Sequence, residues 1–139
     1  MMTTHFIPLT REETRKKHPQ YVRDDSTCFE ILKNHTPVGL YGLIDHGIDP
    51  LTKVRQGEGF LTIFPAFRYR ILSKGFFLKL FDHALESGFE VVYTWTRLPS
   101  WQKLLGRFRS LGIHRLDEPP PWDSDPTKVW FVKQSQKEN

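Results

Sequence analysis

The feature that most constrains this chain is a strand–turn–helix–strand run in its middle. Gly59 to Phe64 (GFLTIF) is an almost unbroken apolar stretch, the pattern of a central strand buried on both faces of a sheet. Pro65 stops it, and a basic loop follows from Phe67 to Lys74. Phe76, Phe77, Leu80, Phe81, Ala84 and Leu85 then recur at i, i+1, i+4, i+5, i+8 and i+9, which puts them on one helix face. Ser73 is placed to cap the start of that helix and Gly88 its end. Phe89 to Trp95 (FEVVYTW) has the β-branched and aromatic content of a strand. Strand, helix and strand so closely spaced imply a parallel pair joined by a crossover. The fold class expected is therefore α/β (α+β), a central mixed sheet flanked by helices.

The flanking segments add to this core. Thr10-Arg11-Glu12-Glu13 reads as a capping box, because Thr10 can accept from the amide three residues on while Glu13 reaches back. A helix over 11–17 follows, ended by His18-Pro19. Cys28 to Lys33 and Val38 to Ile44 read as the strands of a hairpin turning at Asn34 to Pro37. Asp45 to Gln56 reads as a loop. After Pro99-Ser100, Trp101, Leu104, Leu105, Phe108 and Leu111 mark a helix that Gly112 can end. Pro119, Pro120 and Pro121 force extended backbone. Val129 to Val132 is a last strand, and the polar tail 134–139 is expected to fray. The 139 residues fit one domain over 1–139.

Cys28 is the only cysteine. That excludes an internal disulfide and a thiolate-rich metal site, and beside Phe29 it reads as a small strand hydrophobe. The six histidines show no His-x-x-x-His spacing, so no metal is expected. No apolar run approaches the ~18 residues of a membrane span, and Met1 to Pro8 lacks the apolar centre of a signal peptide. A cytoplasmic protein without membrane association is expected. A net charge of +4 and a pI of 9.3 suit an anionic partner such as a nucleotide cofactor. Lys103, Arg107 and Arg109 beside Trp101 could contact nucleic acid; a solvated helix face over an apolar stripe weighs more. His83, off the apolar stripe of its helix, reads as a surface residue. Asp45-His46, following the second hairpin strand, reads as a polar turn, with a functional role as the other reading. No P-loop, nucleophile elbow or dinucleotide fingerprint is present.

The junction at residues 60–75 carries the strongest chemical signal. A helix N-terminus offers free amides and about half a positive charge, which attracts phosphate. Arg68, Arg70 and Lys74 add full charges, and Ser73 adds a hydroxyl. This describes a site for a pyrophosphate-bearing ligand.

Here the chain resembles the GNAT family of N-acyltransferases. That family carries a strand ending in apolar-x-Pro-x-x-Arg, then Arg/Gln-x-x-Gly-x-Gly/Ala, a helix of about four turns, Gly and the next strand. The match is Ile63-Phe64-Pro65-Ala66-Phe67-Arg68, a helix to Ser87, and Gly88. The family's later Asn-x-x-Ala-x-x-Leu-Tyr-x-x-x-Gly-Phe is followed in rhythm by Trp101 to Leu104, Phe108 and Leu111-Gly112-Ile113. The resemblance covers roughly residues 28–113.

It implies a GNAT-like fold and transfer of an acetyl group from acetyl-CoA to an amine by direct attack. CoA-binding positions would be Ile63, Phe64, Arg68, Tyr69, Arg70, Ile71, Ser73, Lys74, Gly75, Trp101 and Phe108. With Arg68 as the motif arginine, the two small positions fall on Ile71 and Ser73; with Arg70 they fall on Ser73 and Gly75. Glu58 is the implied base, the other reading being a turn carboxylate in Gln56-Gly57-Glu58-Gly59. An amide near Phe64 would polarise the thioester. The family's asparagine falls on Trp101 and its proton-donating tyrosine on Phe108, which cannot donate. Tyr93, Ser100 or His114 would have to serve instead. The alternative is a catalytically weak or inactive GNAT-like domain used for binding or assembly. The chain also looks similar to small GNAT-like proteins encoded by tailed phages, some of them associated with virion or head assembly. The acceptor, whether small molecule or protein, and any homo-oligomer or assembly partner are left open.

Overall fold

A computed structural model describes residues 3–21, 26–67 and 73–135. Its sheet has seven strands: β1 (Thr4–Leu9), β2 (Thr27–Lys33), β3 (Thr36–Ile48), β4 (Arg55–Ile63), β5 (Val91–Thr96), β6 (His114–Arg115) and β7 (Val129–Gln134). Among the described residues three α-helices accompany them: α1 (Arg11–Lys17), α2 (Lys74–Glu86) and α3 (Pro99–Gly106). The strand order is β1-β2-β3-β4-β5-β7-β6. All neighbours pair antiparallel except β4 and β5, the parallel pair bridged by α2. The sheet is thus mixed, as the central strand–helix–strand run requires.

Local chemistry accounts for the helix ends. Thr10 accepts from the Glu13 amide at 3.0 Å, and Glu13 Oε1 accepts from the Thr10 amide at 3.1 Å, completing the capping box. Ser73 Oγ accepts from the Phe76 amide at 3.1 Å. Gly88 follows α2 with φ 112°, a conformation that side chains with a Cβ rarely adopt.

Alternation along the strands sorts side chains onto two faces. On one, α2, α3 and the turn that follows α3 pack through Phe76, Phe77, Phe81, Ala84, Leu105 and Phe108 against Ile31, Tyr41, Ile63, Val92 and Phe131. On the other, Leu9, Cys28 and Leu40 form a smaller cluster with Phe64. Cys28 is a buried hydrophobe there, its thiol pKa pushed up by burial.

Several boundaries and contacts differ from the sequence expectation. Strand β1 lies outside the sequence expectation; it is an edge strand with three of its six residues exposed and one buried, so it lacks an apolar stripe. β3 and β4 extend into the expected loop 45–56. The helix expected to reach Leu111 ends at Gly106 and continues as a 3-10 turn, Arg109–Leu111, closed by Gly112 at φ 84°. β6 is a two-residue strand in the stretch between Gly112 and Val129, where the sequence reading places no strand. β7 includes Gln134, and the Ser135 amide donates to the Glu90 carbonyl at 2.7 Å; residues 136–139 lie outside the described part. His83 is half-buried rather than the surface residue expected. Its Nδ1 is hydrogen-bonded to the Tyr41 hydroxyl, and its ring packs against Phe6 and Phe29. Burial holds its pKa below the ordinary value. No helix among the described residues is long and apolar enough to cross a membrane.

Candidate active site

The parallel ladder between β4 and β5 covers only Gln56↔Val91, Gly57↔Val92 and Glu58↔Tyr93. Beyond it the strands part. At the apex, Thr94 Oγ1 donates to the Gly59 carbonyl at 2.9 Å. This corrects the expectation of a central strand buried on both faces. Phe60, Leu61 and Thr62 are half-buried because β5 no longer covers that edge of β4.

Register identifies what the opened edge offers. The Phe64 amide donates to the Val38 carbonyl at 2.9 Å. In an antiparallel ladder bonding alternates residue by residue, so Thr62 and Phe60 also bond to β3. Leu61 and Ile63 therefore turn their amides toward β5, into the gap. The polarising amide expected near Phe64 is not that of Phe64, which is spent on β3. Leu61 and Ile63 carry the amides that face the opening.

The gap continues into a cleft of about 600 Å³ beneath α2 and α3. Its walls include Leu61 and Ile63 of β4, Phe77 and Leu80 of α2, Thr94 of β5 and Trp101 of α3. The Trp101 ring stands edge-on to Phe77 at 5.9 Å. Ser100 is exposed and lines the cleft. Phe108 belongs to the core, 5% exposed and packed on Phe77 at 5.3 Å. At the start of α2, Ser73 serves as N-cap, and Lys74 and Gly75 are exposed. Arg68, Tyr69, Arg70 and Ile71 lie outside the described residues.

On the opposite face, beside the apex, is a polar cluster that sequence spacing alone did not assemble. Glu58 is not a solvated turn carboxylate. It is 6% exposed, and both its oxygens are engaged. Oε2 accepts from Trp95 Nε1 at 2.9 Å, and Oε1 lies 2.9 Å from His46 Nε2. The His46 ring stacks on Trp122 at 3.9 Å with the planes 10° apart. Trp122 meets Tyr93 edge-on at 5.0 Å, and its own Nε1 is buried without a hydrogen-bond partner among the described residues. The Tyr93 hydroxyl accepts from Gln56 Nε2 at 3.2 Å. Phe60, two residues from Glu58 on the same face, lays its ring over Gly42. A Cβ there would come within 2.1 Å of the ring, so glycine is required for that packing.

Farther along this face His18 Nε2 pairs with Glu30 Oε2 at 3.0 Å, and the His18 ring packs on Phe64. His114 is exposed on β6, which occupies the sheet edge. Among the described residues no group of three His, Cys, Asp or Glu could hold a metal ion.

No protein-family model and no curated protein sequence matches this chain. Solved structures do. A spermidine N-acetyltransferase SpeG chimera from Vibrio cholerae and hSSAT superposes with a TM-score of 0.64 at 12% identity, covering 94% of this chain and 95% of its own. An acetyltransferase from Thermus thermophilus gives 0.60 at 17% identity, with 96% and 97% covered. A Bacillus subtilis acetyltransferase in complex with CoA gives 0.58 at 12% identity, with 97% and 99% covered. The fold is that of the GNAT acyl-CoA N-acyltransferases, over nearly the whole chain.

Proposed function

We propose that this chain transfers an acetyl group from acetyl-CoA to an amine by direct attack. The observation that carries the reading is the parted β4–β5 edge. It opens two backbone amides, those of Leu61 and Ile63, onto an apolar cleft running between α2 and α3. A pantetheine arm carries amides and an aliphatic chain, so it can complete the β4 edge and fill the cleft at once. The cleft volume of about 600 Å³ is in the ordinary range for small-molecule sites. The α2 N-terminus, with Ser73, Lys74 and Gly75 and the adjoining basic segment, would hold the pyrophosphate. One solved structure of the same fold is described as a complex with CoA.

Chemistry would occur at the apex. The amine nitrogen attacks the thioester carbonyl carbon, and an amide on β4 stabilises the oxyanion. The carbon–sulfur bond then breaks and the thiolate leaves. The buried carboxylate of Glu58 lies on the face from which an acceptor would approach. A cationic amine would be drawn to it, and the fold neighbour described as a spermidine N-acetyltransferase makes polyamines a natural part of an acceptor panel.

A second reading, a GNAT-like binding or assembly domain of weak or no activity, is favoured by one observation. Phe108 stands where the family keeps its proton-donating tyrosine, and it is buried in the core. Without another donor, loss of such general-acid help costs roughly 10²–10⁴-fold in rate. Thermal unfolding with acetyl-CoA, together with thiol release over an amine panel, separates the readings. Ligand at 100 times its dissociation constant should add about 2.7 kcal/mol. No shift at millimolar acetyl-CoA would overturn cofactor binding. A shift without transfer to any amine would leave the binding domain.

A further inference from the structure

We infer that the group receiving the acceptor's proton is His46, through Nδ1, and that Glu58 is a positioning residue that fixes the His46 tautomer. The inference rests on the acyltransfer reading above and deepens it.

Glu58 has both oxygens occupied. Trp95 Nε1 is a donor only, so Oε2 must accept from it. Oε1 faces His46 Nε2 at 2.9 Å. With the carboxylate ionised, the shared proton sits on Nε2. The neutral ring then carries its lone pair on Nδ1, and no hydrogen bond reaches Nδ1 among the described residues. The same division of labour arises wherever a carboxylate orients an imidazole. Exposure agrees: the His46 side chain is 19% exposed, the Glu58 side chain 9%.

The backbone places His46 for this task. The β3–β4 register runs Asp45↔Gly57 and then Gly47↔Gln56, leaving His46 as the extra residue of a bulge. A bulge re-aims a side chain, and this one sets the imidazole beside the residue that precedes the apex. Trp122 clamps the ring from the other side. The remaining charged and titratable groups around it are already engaged. Asp45 is paired with Arg55 and accepts from the Gly47 amide. Tyr93 faces Trp122 and bonds to Gln56. Asp123, next to Trp122, accepts from Trp130 Nε1 and faces Lys128.

The step balances. The ammonium begins with three protons. One passes to His46 Nδ1, directly or through one water. The freed lone pair forms the carbon–nitrogen bond, the carbon–sulfur electrons leave on sulfur, and the second nitrogen proton goes to the thiolate. The amide keeps the third.

The test pairs an NMR measurement on the wild-type chain with kinetics. Long-range ¹H–¹⁵N spectra of the neutral ring should show His46 protonated on Nε2 and bare on Nδ1; a neutral ring with its proton on Nδ1 overturns the inference. With acetyl-CoA and the panel amine that the wild type turns over fastest, His46→Gln should lower kcat about 10²–10⁴-fold. It should also abolish the acidic limb of the kcat/KM profile while leaving acetyl-CoA binding intact. Glu58→Gln should leave acetyl-CoA binding intact but let a form of the neutral ring protonated on Nδ1 appear in the same spectra, because the carboxylate that holds the proton on Nε2 is gone. An unchanged acidic limb in His46→Gln, with binding and turnover present, overturns this assignment alone. A wild-type chain that neither binds acetyl-CoA nor releases thiol overturns the acyltransfer reading and this assignment with it.

Discussion

Phe77 joins the two helices that roof the cleft, so replacing it by alanine should weaken the fold and the cleft together. Its ring is 2% exposed and meets Phe76, Trp101 and Phe108 at 5.6, 5.9 and 5.3 Å. Removing the ring leaves a void on the order of 100 Å³, worth about 2.4 kcal/mol at ~24 cal/mol per Å³. The lost burial of the ring adds about 2 kcal/mol. The sum, about 4 kcal/mol, sits within the 3–5 kcal/mol typical of Phe→Ala in a core. With a urea slope of about 2 kcal/mol per molar, the unfolding midpoint should fall by about 2 M. Leu51→Ala is the control: Leu51 is 91% exposed, and its loss should stay within about 0.5 kcal/mol. A Phe77→Ala penalty below about 1 kcal/mol would refute the packing of α2 on α3 described above.

Two further predictions concern the ends of the sheet's support. Thr10→Ala removes the capping box of α1 and should cost about 1 kcal/mol, read as a melting temperature lower by about 3–5 °C; an unchanged melting temperature would mean that α1 contributes nothing to global stability. His83 gives a pH dependence. Burial lowers its folded-state pKa below the unfolded value of about 6.5. Its contribution is then complete above the unfolded value and is lost as pH falls through the folded one. The urea midpoint of wild type should drop more between pH 7.5 and 5 than that of His83→Phe; equal drops would contradict the burial.

The parts of this fold legible in the sequence are those where one periodicity dominates. The six apolar positions of α2 and the β-branched run of β5 each obey a single period, and the strand–helix–strand order follows from them. β1 escaped because an edge strand needs no apolar face. The apolar rhythm overextends α3 because Leu111 keeps helical phase with Leu104 even though the backbone turns at Arg107. The site was legible in part. Glu58 could be singled out by resemblance, but its burial depends on Trp95 and His46. His46 meets Trp122, 76 positions along the chain, only after the sheet has formed and the bulge has turned it. His83 looked peripheral on its own helix, and only the arrival of Phe6, from the unanticipated β1, together with Phe29 and Tyr41 encloses it.

Amide hydrogen exchange at Leu61 and Ile63, with and without acetyl-CoA, tests the central claim most directly. These are the amides that β5 leaves uncovered. If a pantetheine arm completes the β4 edge, saturating acetyl-CoA should slow exchange at both well beyond the change at Phe60 and Thr62, which are already bonded to β3. Exchange at Leu61 and Ile63 that is the same with and without acetyl-CoA would contradict the proposal that this opening is the acyl-CoA site.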